Sequence, residues 1–218
     1  MTAPAQPPAW THPGHVRPSW TQEGVLLRPF RADDAAELFR AVDSSRDSLH
    51  PWLPWAITQH HSVAASAEAI STLSSLCRDE AGEDWACVLG IFDAVEGTLL
   101  GGTGFNRVSR GVHNAEAGYW LRSSARGRGW CTRALRACLE WGFTPQQAGG
   151  FGWRRVHVFA SALNAASCAV PRRLGLRQHM HASRDRWVEG LGWSDTLGWE
   201  VLAEEWPTLH RSPGANAP

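Results

Sequence analysis

The stretch SSARGRGWCTRAL, residues 123–135, alternates two arginines with two glycines at 126–129 and then changes at once to residues of helical habit. Gly127 and Gly129 free the backbone to turn sharply. Beyond them Cys131, Ala134, Leu135, Cys138 and Trp141 recur at helical spacing, with Arg133, Arg136 and Glu140 on the other side, so one amphipathic helix begins at the glycines. The segment ahead of them, HNAEAGYWL (113–121), is strand-like. A strand that feeds a helix through RGRG aims unpaired N–H groups and the positive end of the helix dipole at one spot, which suits an anion. Arg126 and Arg128 add charge there. An ordinary glycine turn would use the same residues, so the flanking sequence has to separate the two readings.

Composition narrows the ligand. The 218 residues include 21 basic and 21 acidic ones, so the chain has no net formal charge and bulk nucleic-acid binding is not expected. All 21 basic residues are arginine, which removes any lysine Schiff base or phosphate-binding lysine. A Walker loop needs a G-K-[ST] ending and a dinucleotide fingerprint needs a third glycine; neither follows Gly129. The five cysteines, Cys77, Cys87, Cys131, Cys138 and Cys168, form no C-x-x-C pair. That speaks against a disulfide framework or a cysteine zinc site and for a reducing, cytoplasmic setting. MTAPAQPPAW at the N-terminus has neither a basic nor an apolar signal region, and no run approaches about 18 apolar residues, so no membrane association is expected. Thirteen tryptophans follow no repeat period and read as core and pocket lining.

One domain is expected at this length. Residues 1–22 read as a flexible Pro-rich arm, 23–206 as a single domain and 207–218 as a disordered tail. GVLLRPF (24–30) is a first strand, and RADDAAELFRAVDSS (31–45) a helix with Ala35, Leu38, Phe39 and Val42 on one face. HPWLPW (50–55) breaks that helix. A second helix is expected from Val63 to Arg78 with Ala67, Ile70, Leu73 and Leu76 on its inner face, then a hairpin from DWACVLGIF (84–92) and TLLGGTGFNRV (98–108). RRVHVFA (154–160) is a strand, NAASCAVPRRLGL (164–176) a helix capped by Asn164, and DTLGWEVLAEEW (195–206) a last strand with a short end piece. This order describes an α/β chain with a mixed sheet.

Several of these pieces carry a resemblance. The pattern R-x-x-G-x-[small], here Arg126, Gly129 and Cys131, the strand AEAGYWL before it, and N-x-x-S-x-x-V-x-x-x-L-G-[FL] after it (Asn164, Ser167, Val170, Leu174, Gly175, Leu176) resemble the GNAT superfamily of acyl-CoA transferases. LLRPFRADDAAELFRAV (26–42), HPWLPW and the ending D-x-x-x-W-x-V-L-x-x-E-W (195–206) resemble its RimJ/RimL branch, the ribosomal-protein N-terminal acetyltransferases and their relatives. The resemblance implies a GNAT fold: a mixed central sheet of about six to seven strands, flanked by about four helices and splayed at the acyl-CoA site. It implies acetyl-CoA as cosubstrate without a metal, its diphosphate held at Arg126, Gly127, Arg128, Gly129, Trp130, Cys131 and Thr132. Two departures stand out. Cys131 fills a slot that is usually Gly or Ala, and Pro171 lies inside the expected last helix, where it would leave the carbonyl of Ser167 without its amide at a cost of about 3 kcal/mol. The tyrosine that many members use as general acid late in that helix has no counterpart; Tyr119 is the one tyrosine in the chain.

Acetyl transfer to an amine needs a neutral amine, stabilisation of an oxyanion and a proton for the departing thiolate. The resemblance points to Glu116 as base, although a strand glutamate can equally pair with an arginine. It places an oxyanion-binding N–H at a bulge near Tyr119 to Leu121, where the pantetheine arm enters like an extra strand. Ser167 matches a serine near the sulfur, and Asn164 would bond the pantetheine amide; helix capping explains both residues as well. His179 and His181 alternate on a strand, without an evident third partner for a metal. His179 falls where RimL-like proteins often carry a glutamate. The implied function is transfer of acetyl to a primary amine, a protein or peptide N-terminus first, an aminoglycoside or other small amine second, with a non-catalytic acyl-CoA-binding module as the reading of another class. A homodimer is compatible with these expectations.

Overall fold

The computed structural model describes residues 9–13, 16–77 and 85–209. Its strands are β1 (Trp20–Gln22), β2 (Val25–Pro29), β3 (Cys87–Asp93), β4 (Leu99–Ser109), β5 (Asn114–Leu121), β6 (Arg155–Ser161), β7 (Arg177–Val188) and β8 (Gly192–Leu202). Its helices are α1 (Ala35–Asp43), α2 (Arg46–Leu49), α3 (Trp55–Thr58), α4 (Val63–Leu76), α5 (Trp130–Phe143), α6 (Ala165–Arg173) and α7 (Trp206–Leu209). The four longer helices are those expected from periodicity. α2, α3 and α7 are single turns, and β1 is the strand that the Pro-rich composition hid.

One mixed sheet runs in the order β1-β2-β3-β4-β5-β6-β8-β7. Every pairing is antiparallel except β5 with β6, which are parallel and paired only from Asn114/Arg155 to Glu116/His157. Beyond that point the two strands diverge. The splay opens the sheet at the C-terminal end of β5, where the chain turns into the RGRG segment.

Each face of the sheet has its own apolar core. α5 packs against β1, β2, β4 and β5 with Ala134, Leu135, Cys138 and Trp141 buried, as its spacing predicts. α1 and α4 pair over β3 and β4 on the opposite face around Leu38, Val42, Ile70 and Phe92. The buried side of α4 is Ala65, Ser66 and Ile70, with Ala67 exposed, rather than the face expected through Ala67. Ser66 is inside because its hydroxyl meets His60 Nδ1 at 3.0 Å, a polar pairing that apolar spacing does not reveal. Arg78, the expected end of this helix, lies outside the described residues.

The expected flexible arm, 1–22, needs correction where it is described. Trp10 is buried, stacked on Trp153 with ring centroids 4.5 Å apart, and its Nε1 donates to the Phe151 carbonyl at 2.8 Å. Arg17 N–H reaches the Gly149 carbonyl at 3.1 Å. A large indole that fills the bottom of the core outweighs the local Pro-rich habit. Trp10, Trp85, Trp141, Trp153 and Trp199 are all fully buried, so core filling accounts for much of the tryptophan content. At the other end the expected tail begins as part of α7, and 210–218 lie outside the described residues. No helix among the described residues is long and apolar enough to cross a membrane.

Candidate active site

The splay between β5 and β6 opens into a cleft of about 920 Å³. One end is the RGRG turn. Gly127 (φ 75°) and Gly129 (φ 77°) are both left-handed, and a Cβ built on either would meet nothing within 4 Å, so the floor of the turn is open space. Gly129 is the N-cap of α5 and offers no side chain to its first N–H groups. The residues that carry those donors, Trp130, Cys131 and Thr132, line the cleft. The turn is braced from outside it: Arg133 lies over the Trp130 ring at 3.9 Å and donates to the carbonyls of Glu23 at 2.9 Å and Arg128 at 3.2 Å. Open left-handed glycines, uncapped helix donors and adjacent guanidiniums fit a diphosphate.

Of the eleven residues expected in the site, ten line this cleft: Glu116, Leu121, Arg126, Gly127, Gly129, Trp130, Cys131, Thr132, Asn164 and Ser167. Arg128 is the exception. It is held through its carbonyl by Arg133 and stands outside the lining. Arg126 turns back so that its Nε and Nη2 approach the Leu121 carbonyl at 3.4 and 3.3 Å, tying the cradle to the end of β5. Cys131 packs against the core, and burial pushes its thiol up to about 12, so it is a neutral space-filler.

The bulge expected near Tyr119 to Leu121 is elsewhere. β4 and β5 pair regularly from Gly101/Leu121 to Asn106/Glu116, and the register shift falls between Asn106 and Ser109 on β4. The edge of β5 from Ala117 to Leu121 is left unpaired by the divergence of β5 and β6, not by a bulge within β5. The actual bulge does something else. Arg107 adopts φ 46° there, and its Nη1 donates to Glu116 Oε2 at 3.0 Å. Arg107 is mostly solvent-exposed, whereas Glu116 is largely covered. Asn106, paired with Glu116 across the strands, also lines the cleft and has a buried Oδ1 without a hydrogen-bond partner.

Asn164 caps α6, its Oδ1 accepting from the Ser167 N–H at 3.1 Å. Pro171 lies inside α6, and the Ser167 carbonyl that it deprives of an amide accepts instead from Tyr119 Oη at 2.9 Å. Burial, with the neighbouring Cys131 and Cys168 thiols, pushes the Tyr119 phenol well above its ordinary value. It is a fixed donor. The histidines gather beside Glu116: His157 is its register partner on β6, and His157 Nδ1 lies 3.3 Å from His179 Nε2. Burial, then the charge of His179, lowers the His157 pKa, so the ring is neutral at pH 7. Cross-strand register, rather than spacing along one strand, brings Asn106 and Arg107 to the site and sets His157 opposite Glu116, which is why sequence reading missed them.

A family model described as an acetyltransferase (GNAT) domain matches residues 25–177. Among solved structures, RimJ from Mycobacterium smegmatis in complex with CoA-disulfide is 29% identical, with a TM-score of 0.71 over 89% of this chain and 90% of that one. The ribosomal-protein-S5-alanine acetyltransferase from Vibrio fischeri is 21% identical, with a TM-score of 0.71 over 86% and 98%. A RimL ribosomal L7/L12 α-N-protein acetyltransferase in complex with coenzyme A is 20% identical, with a TM-score of 0.70 over 83% and 95%. The last two likenesses speak for the fold alone. With most of the chain matched by the family model and an open glycine turn at the end of a splayed sheet, this chain belongs to the GNAT acetyltransferase family and is an acetyl-CoA-dependent N-acetyltransferase.

Proposed function

We propose that the acceptor is the α-amine of a protein or peptide N-terminus. The observation that carries this reading is the charge of the cleft. Glu116 is the single carboxylate among its lining residues, and away from the cradle it is accompanied by Arg107, which pairs with it, and Arg186. A polycationic aminoglycoside would meet net repulsion there, whereas a peptide brings one amine and a polar backbone. The names of the RimJ and ribosomal-protein acetyltransferase neighbours support the same choice.

Acetyl-CoA supplies the activated acyl carbon and a thiolate leaving group. In this reading the N–H groups that follow Gly127 and Gly129 bind the diphosphate, with Arg126 beside them, and Thr132 in the first turn of α5. Asn164 spends its Oδ1 on the helix cap, leaving its side-chain amide N–H groups for the pantetheine. Glu116 accepts the ammonium proton after the exposed Arg107 moves aside, and Asn106 Oδ1 holds the amine. Ser167 holds a proton at the sulfur. Thiol release measured with a panel of unblocked peptides and aminoglycosides tests the choice of acceptor. Turnover with peptides and none with aminoglycosides is expected; the reverse overturns it.

A further inference from the structure

Across β6, β8 and β7 the register places His157 opposite Glu200 and Glu200 opposite Arg177, on one face of the sheet. His179 joins them through a bulge. The register shifts between Gln178 and Met180, so His179 is the extra residue, re-aimed until its ring centroid is 5.1 Å from that of His157. Potential ligand atoms of His157, His179 and Glu200 all lie within 4.8 Å of one another. The two ring nitrogens are 3.3 Å apart. Two nitrogens bound to one tetrahedral zinc at about 2.0–2.1 Å stand about 3.3–3.4 Å apart, so the imidazoles already have the spacing of a shared cation.

We infer that His157, His179 and Glu200 form a binding site for one borderline divalent cation of the zinc class, with two imidazole nitrogens and one carboxylate oxygen as ligands. Glu200 is only 8% exposed, and its carboxylate is oriented by Arg177 Nη2 at 2.7 Å on Oε1, with Arg155 Nη1 3.7 Å from Oε2. These partners fix the ligand as outer-shell groups do. Their positive charge also weakens the site, so reversible binding is expected, not a structural metal required for folding. His179 is exposed, which gives the cation an entry path and leaves a remaining position for water. His157 is the β6 register partner of Glu116, so the cation site lies on the strand next to the one that carries Glu116. The inference does not depend on the identity of the acceptor.

Titration of the metal-stripped full chain with Co²⁺, read by visible absorption, tests it. One Co²⁺ per chain with tetrahedral bands, displaced by Zn²⁺, is expected, and Zn²⁺ should raise the thermal midpoint. His179→Ala, at an exposed position, and His157→Ala should each weaken binding by more than about tenfold. His181→Ala should leave it intact, because the His181 Nε2 is engaged by Asp195 at 2.6 Å. Equal affinity in His179→Ala and the parent, binding lost on thiol alkylation, or no saturable binding would each overturn the site.

Discussion

The phenol of Tyr119 on β5 donates a 2.9 Å hydrogen bond to the carbonyl of Ser167 on α6, the acceptor left without an amide by Pro171. One bond thus repairs a helix defect and spans the cleft where β5 and β6 part. Tyr119→Phe is expected to destabilise the fold by about 0.5–1.5 kcal/mol, the net worth of a hydrogen bond that is only partly buried. In a Pro171→Ala background, where an amide returns to the helix, the same substitution should cost much less. Equal costs in the two backgrounds, measured by urea unfolding, would show that the phenol acts elsewhere.

Gly129→Val sets a β-branched residue at φ 77° and projects its side chain into the open floor of the cradle. A stability loss of about 1–3 kcal/mol is expected from the backbone alone. The KM for acetyl-CoA should rise by about tenfold or more, which corresponds to about 1.4 kcal/mol of binding, while the KM for the amine stays nearly constant. A parallel rise in both constants would make the turn structural.

His60 is buried against Ser66 and Trp55, and burial, then the nearby Arg46 charge, lowers its pKa from 6.5 to about 4. The unfolded chain therefore takes up this proton first. The contribution of His60 to stability is full above pH 6.5 and is lost as pH falls toward about 4. His60→Gln should flatten the fall of the thermal midpoint across that window. An unchanged slope would assign the acid sensitivity to other groups. Asp34 is one of them: burial raises its pKa, but the paired Arg28 and the Arg31 N–H outweigh this and hold it low.

How much of this was legible follows from where the information lies. The helix after Gly129 and the glycine turn that opens it were readable, because a 3.6-residue period and a glycine turn are local signals. Trp10 and β1 were not, since a Pro-rich composition looks disordered until an indole finds the core. Glu116 was found by its place before the cradle, but its pairing with Arg107 depends on a β4 bulge with no turn residue to announce it. The sequence identified the defect at Pro171; its repair by Tyr119, 48 residues away along the chain, appears only in three dimensions.

The central claim, acetyl transfer to an α-amine with Glu116 as base, is tested most directly by a peptide with a free N-terminus and one internal lysine. The products with acetyl-CoA are located by tandem mass spectrometry for the parent chain and for Glu116→Gln. The account predicts acetylation of the α-amine alone, slowed by roughly 10²-fold in Glu116→Gln at neutral pH and partly recovered at high pH, where free amine is abundant. Acetylation of the lysine side chain instead, or an unchanged rate and pH profile in Glu116→Gln, would contradict it.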